Sequence, residues 1–323
     1  MKIDRRSFCK TSLCAGATLA GHAALASPDC AGGGHGPGDS PNQAACLVDT
    51  TLCVGCRKCE QACNRANRQP EPERPFHDRS VLRRERRPSA DAFTVINEYP
   101  GKPSMDQPGR ANTTVKIQCM HCLDPACVSA CIVGALQRAD DGSVVYDPDV
   151  CIGCRYCMVA CPFQIPAYEY HDPVTPKVRK CEFCFGRDEA EGAHPACAAV
   201  CPMEAIVFGK RGKLLELAHV RIENRPDRYL PTVYGEHEVG GTSWLYLLGR
   251  PKEEIGFLDL PEEAPPRKTE AIQHGIFNYG AAPLLIYGLL GGLYRINSKR
   301  HEANGHAAAP PDGTGEEGEG GPA

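Results

Sequence analysis

Cys151-Ile152-Gly153-Cys154-Arg155-Tyr156-Cys157-Met158-Val159-Ala160-Cys161-Pro162 is the stretch that decides the fold. Its spacing is Cys-x2-Cys-x2-Cys-x3-Cys, closed by a proline. This is the bacterial ferredoxin run, in which three cysteines hold one iron–sulfur cubane and the fourth reaches across to another. A cubane takes four thiolates around one small object. A tight turn points three of them inward, and the fourth, expected at the start of a helix, faces the other way. Two such runs therefore make a pair of [4Fe–4S] clusters that share ligands.

The arithmetic repeats along the chain. Cys53, Cys56, Cys59 and Cys63 have the same spacing. Cys119, Cys122, Cys127 and Cys131 follow with four residues in the middle gap. Cys181, Cys184, Cys197 and Cys201 have twelve there, and Pro202 after them. Sixteen of the 20 cysteines thus fall into four groups, which implies four [4Fe–4S] clusters. Zinc would need cysteine pairs or histidine partners, not a third cysteine two residues on. Disulfides between neighbours this close would be strained.

A four-fold repeat predicts a fold of repeated units. The fold class expected is α+β: two tandem ferredoxin-like lobes, each binding two [4Fe–4S] clusters, plus one C-terminal transmembrane helix. Short helices are expected to begin near Cys63, Cys131, Cys161 and Cys201. Leu136 and Val144-Val145-Tyr146 bracket Asp141-Gly142, a hairpin signal. Ala205-Ile206-Val207-Phe208 reads as a short strand. A polar, Pro-rich insert from Arg65 to Thr114 separates the first run from the second.

Both ends carry targeting signals. Asp4-Arg5-Arg6-Ser7-Phe8 precedes an Ala-rich apolar stretch, Leu13 to Ala26, that ends in Ala24-Leu25-Ala26. This resembles a twin-arginine signal peptide cleaved before Ser27. That route exports folded proteins, which suits cargo loaded with clusters in the cytoplasm. Ile276 to Tyr294 carries no charge and, as a helix, would be about 28 Å long, enough to span a hydrocarbon core. Arg295, Lys299 and Arg300 follow and place the C-terminus in the cytoplasm. Gly288 and Gly292 have the spacing of close helix contacts. The expected division is a signal peptide at 1–26, an N-terminal segment at 27–45, a four-cluster domain at 46–270, a transmembrane helix at 271–295 and a disordered cytoplasmic tail at 296–323. The expected location is periplasmic, anchored in the inner membrane. A net charge of −4 gives no sign of nucleic acid.

The order of the four runs resembles the four-cluster iron–sulfur subunits of membrane oxidoreductases, including those of dimethyl sulfoxide reductase and periplasmic formate dehydrogenase. Leu52-Cys53-Val54-Gly55-Cys56, Gln118-Cys119-Met120-His121-Cys122, Tyr234-Gly235-Glu236, Gly240-Gly241-Thr242 and Ile272-Gln273-His274 most resemble the HybA-type subunit of periplasmic [NiFe] hydrogenase. Ile132 departs from the pattern, standing where proline is common. The resemblance implies that the first run pairs with the fourth and the second with the third. Cys53, Cys56, Cys59 and Cys201 would hold one cluster, and Cys63, Cys181, Cys184 and Cys197 its neighbour. Cys119, Cys122, Cys127 and Cys161 would hold the third, and Cys131, Cys151, Cys154 and Cys157 the fourth. The implied partners are catalytic [NiFe] hydrogenase subunits, or a molybdenum catalytic subunit, and an integral quinone-reactive membrane subunit.

No nucleophile–base arrangement stands out, so the chain is expected to conduct electrons rather than to catalyse. Arg57, Lys58, Arg155 and Lys180 lie beside ligands and would raise local potentials, unless they are solvated charges. His121 would bond a cluster sulfur or pack, and packing is favoured. His274 precedes the expected span and is read as interfacial. Five arginines between Arg79 and Arg87 form a docking patch or a solvated face. Cys9 and Cys14 leave with the signal, and Cys30 and Cys46 form a disulfide or stay free. The competing readings are an electron wire for a hydrogenase, the same wire for a molybdenum enzyme, and a cluster-bearing sensor or scaffold.

Overall fold

The structure is a computed structural model that describes residues 43–101, 111–186 and 195–303, without the side chains of 273–282 and 301–303. The twin-arginine segment, Cys9, Cys14, Cys30 and the tail beyond 303 lie outside the described residues, and so does the His274 side chain.

Strand β1 (Ala44–Asp49) is apolar almost throughout, the pattern of a strand covered on both faces. It runs antiparallel to β8 (Ile206–Lys210) and parallel to β10 (Trp244–Leu247), which pairs with β9 (Val233–Tyr234). The sheet order is β8-β1-β10-β9. Side chains alternate across the pleat. Ala45, Leu47, Leu245 and Leu247 pack with Leu214 and Ala218 of helix α5 (Arg211–Asn224). Cys46, Val48, Trp244 and Tyr246 face the opposite way, into a core that contains Cys59, Cys119 and Cys197. The sheet is therefore a wall with a helix behind it and the cysteine runs in front.

Helix α1 (Lys58–Ala66) packs on α4 (Ala196–Ala199), and α2 (Ala126–Ser129) packs on α3 (Tyr156–Ala160). The second and third runs are thus nested between the first and the fourth rather than following a completed lobe. The expected hairpin is present as β4 (Leu136–Arg138) and β5 (Val144–Tyr146), and the strand after the fourth run as β8. A further pair, β6 (Ala167–Tyr168) and β7 (Val178–Arg179), flanks the third run. Among its described residues the insert between the first two runs forms a 3-10 turn (Arg79–Arg83) and a hairpin of β2 (Val95–Tyr99) and β3 (Thr113–Ile117).

The helices do not begin where the sequence suggested. In the second, third and fourth runs the short helix lies before the fourth cysteine. Helix α3 ends at Ala160, and Cys161 is extended (φ −72°, ψ 113°) because Pro162 excludes helical backbone at the preceding residue. Three residues on, Gln164 turns through the left-handed region (φ 53°) and returns its N–H to the Cys161 carbonyl. Glu204 after Cys201 and Gly134 after Cys131 make the same turn. Ile132 therefore does not alter the chain path, since Gly134 supplies the positive φ (68°). The first run differs, with Cys63 inside the nine-residue helix α1.

Helix α6 runs from Pro265 to Ala303 and forms a second unit from Arg267 onward. Among the described residues no helix is long and apolar enough to cross a membrane. The side chains of 273–282, within the expected span, are not among those described.

Candidate metal centres

The two ferredoxin-type turns are built alike. In Cys53–Cys59, Gly55 (φ 67°) and Arg57 (φ 60°) are left-handed, and in Cys151–Cys157 so are Gly153 (φ 69°) and Arg155 (φ 62°). Glycine adopts that conformation freely. It curls the loop so that the intervening cysteine and its two neighbours share one concave side. In the second and fourth runs the left-handed residues among those described are His121, Phe183, Cys184 and Gly186.

Thiols of each expected group lie near one another, and some lie near members of a second group. Cys53, Cys56, Cys59 and Cys201 line one small cavity with Arg57, Lys116 and Met203. Burial pushes the Cys63 thiol well up, and its neighbours Cys181, Cys197 and Cys184 push it further. Cys122 is raised by burial and then by Cys161, Cys127 and Cys119. Cys157 is pushed up to about 11 by burial, then by Cys131, Cys151 and Cys154. Crowded, buried thiols of this kind are neutral at neutral pH unless a metal takes their protons.

No disulfide joins any of the 17 described cysteines. Among the described residues no three histidine, cysteine or carboxylate groups could hold a single metal ion. A lone ion needs all its sulfurs about 2.3 Å from one point, whereas a cubane gives each thiolate its own iron and keeps the sulfurs further apart. The donor set, all thiol and in fours, fits [4Fe–4S] clusters on that ground. Backbone N–H groups already point at sulfur: Ala135 to Cys131 at 3.2 Å, Gly153 to Cys151 at 3.4 Å and Phe183 to Cys181 at 3.4 Å. Such bonds drain charge from a ligated sulfur and raise a cluster's potential.

The flanking residues separate on inspection. Arg57 is buried but already paired, by a 2.8 Å ion pair with Glu60 and bonds to the carbonyls of Pro75 and Asp78. Lys58 and Arg155 are exposed, the latter over the Tyr168 ring. Lys180 is buried and donates to the carbonyls of Val144 and Cys181. His121 packs edge-on against Phe183, its Nδ1 accepting from the Val144 N–H at 2.9 Å. Burial holds its ring neutral, well below the ordinary histidine range. Its Nε2 has no hydrogen-bond partner among the described atoms. Within the arginine run, Arg79, Arg86 and Arg87 are engaged with Val54, Glu60 and Phe163. Cys46 is a free, buried thiol in β1.

Lys116 was not singled out in the sequence. It is fully buried beside the thiols of Cys53, Cys56, Cys59 and Cys201, and the signal was a lysine between Val115 and Ile117, three residues before Cys119.

Comparison with known proteins adds the following. A 4Fe-4S dicluster domain family matches residues 112–211. A protein of Nitratidesulfovibrio vulgaris is 45% identical over 79% of this chain and 67% of its own length. The hydrogenase-2 operon protein HybA of Escherichia coli O157:H7 is 34% identical over 94% of this chain and 98% of its own. The iron–sulfur subunit of the nitrate-inducible formate dehydrogenase of E. coli is 33% identical over 70% and 74%.

Proposed function

The chain belongs to the family of iron–sulfur subunits that includes HybA, and from that premise we propose that it relays electrons between a periplasmic [NiFe] hydrogenase and a quinone-reactive membrane subunit. The alignment with HybA carries this reading, because it runs nearly end to end on both chains. Each [4Fe–4S] cluster supplies one-electron chemistry when bound, with a potential set by burial, nearby charge and hydrogen bonds to sulfur. The protein's own part is to hold the thiols in four buried groups, exclude water and fix the surrounding charges.

Four clusters are held, on this reading, by the four expected groups of thiols, two in each ferredoxin-like lobe. The dicluster domain match spans the second, third and fourth runs and supports [4Fe–4S] binding there. The spacing of Cys53 to Cys63 supports the rest. The Arg5-Arg6 segment supports export by the twin-arginine route. The uncharged run from Ile276 to Tyr294, with Arg295 after it, supports anchoring with the C-terminus in the cytoplasm.

The second reading keeps the wire and changes the catalyst to a molybdenum enzyme, a formate dehydrogenase or a dimethyl sulfoxide or polysulfide reductase. The formate dehydrogenase subunit favours it, over a smaller share of the chain. Metal analysis of the membrane complex, purified anaerobically through a tag on this chain, separates the two. Nickel is the result expected, and molybdenum or tungsten would move the protein to the second reading.

A further inference from the structure

Lys116 on β3 is 1% exposed. Its ammonium donates to Gln118 Oε1 at 2.8 Å and lies 4.1 Å from the centre of the Trp244 ring. Gln118 Nε2 donates to the Tyr246 hydroxyl at 2.7 Å, and that hydroxyl donates to the Lys116 carbonyl at 2.9 Å. This closed loop fixes both the amide and the ammonium. Among the described residues no carboxylate forms an ion pair with Lys116. A buried cation with neutral partners is unfavourable unless some other anion answers it.

The candidate anions are at hand. Lys116 lines the cavity shared by Cys53, Cys56, Cys59 and Cys201. Burial alone would lower its pKa, yet Cys197, Cys59, Tyr246 and Cys181 around it lift it above the ordinary lysine value. It therefore lines the cavity of one thiol group and has Cys197 and Cys181 of the next among its electrostatic neighbours.

We propose that Lys116 is a fixed positive charge, positioned by Gln118, Tyr246 and Trp244, that raises the reduction potentials of two clusters together: that of Cys53, Cys56, Cys59 and Cys201, and that of Cys63, Cys181, Cys184 and Cys197. The inference rests on the cluster reading of the preceding section. Reduction adds one electron to a cluster and makes it more negative, and a nearby ammonium in a low-dielectric interior favours that form. No proton accompanies the electron at this residue, because the ammonium is already formed. Of the other cations beside the ligands, Arg57 is paired with Glu60, Lys58 and Arg155 are exposed to water and salt, and Lys180 is buried with its ammonium held by the carbonyls of Val144 and Cys181.

The test is a redox titration of the full-length chain, purified anaerobically with its clusters and followed by electron paramagnetic resonance. Lys116→Met is expected to move two of the four midpoint potentials to more negative values and leave the other two in place. Lys116→Arg keeps all four near the parent. Unchanged potentials in Lys116→Met at parental iron content would overturn the proposal. Should Lys116→Met lose iron, Gln118→Glu takes its place, since it keeps the shape and sets a carboxylate against the ammonium. The same two potentials are then expected to fall, and no shift would overturn the proposal. A parent chain without cluster iron would instead defeat the reading of function, so the two failures are distinguishable.

Discussion

Glu60 and Arg86 form a 2.5 Å ion pair that ties the helix of the first cysteine run to the segment ahead of the second. The same carboxylate accepts from Arg57 and from the Ile96 N–H, so one buried group joins three segments. Glu60→Gln would leave two guanidinium groups facing a neutral amide in a buried site. It is expected to cost about 3–5 kcal/mol of stability, read by denaturant unfolding of the cluster-loaded chain. A loss within the range of an ordinary surface substitution would show that the network holds nothing together.

Gly235 sits at φ 93° beside the strand that carries Trp244. A Cβ there would overlap the Trp244 carbonyl oxygen and the Thr242 hydroxyl, which are backbone and buried side chain. Gly235→Ala is expected to destabilise by about 1–3 kcal/mol from backbone strain alone, with a lower Tm as the readout. An unchanged Tm would contradict the close approach.

Cys154 is the exposed member of its group. Cys154→Ser is expected to remove about four iron atoms per chain, because it subtracts one cluster while the other three thiol groups stay intact. Unchanged iron content and spectra would contradict the assignment of Cys131, Cys151, Cys154 and Cys157 to one cluster.

Much of this was legible in the sequence, and the reasons are local. Cysteine spacing is read along a few residues, so the runs could be placed without the fold. The hairpin at Asp141-Gly142 was legible for the same reason. The wall behind the runs was not, because β1 and β10 are nearly two hundred residues apart and pair through contacts no local pattern announces. The helix starts were misplaced in the third and fourth runs because Pro162 and Pro202 exclude helical backbone at the cysteine before them, so the helix lies ahead of it. Lys116 escaped notice because a strand lysine reads as solvated until the sheet closes over it.

Export depends on a part of the chain outside the described residues. Changing Arg5-Arg6 to Lys-Lys is expected to trap the protein in the cytoplasm, read by fractionation. Normal delivery to the periplasm would refute the twin-arginine reading.

The central claim is that the sixteen thiols hold four cubanes. Iron and acid-labile sulfide, measured on the full-length chain after anaerobic purification, test it most directly. The account predicts about sixteen of each per chain. About eight would leave two thiol groups without clusters, and zinc in place of iron and sulfide would contradict the account altogether.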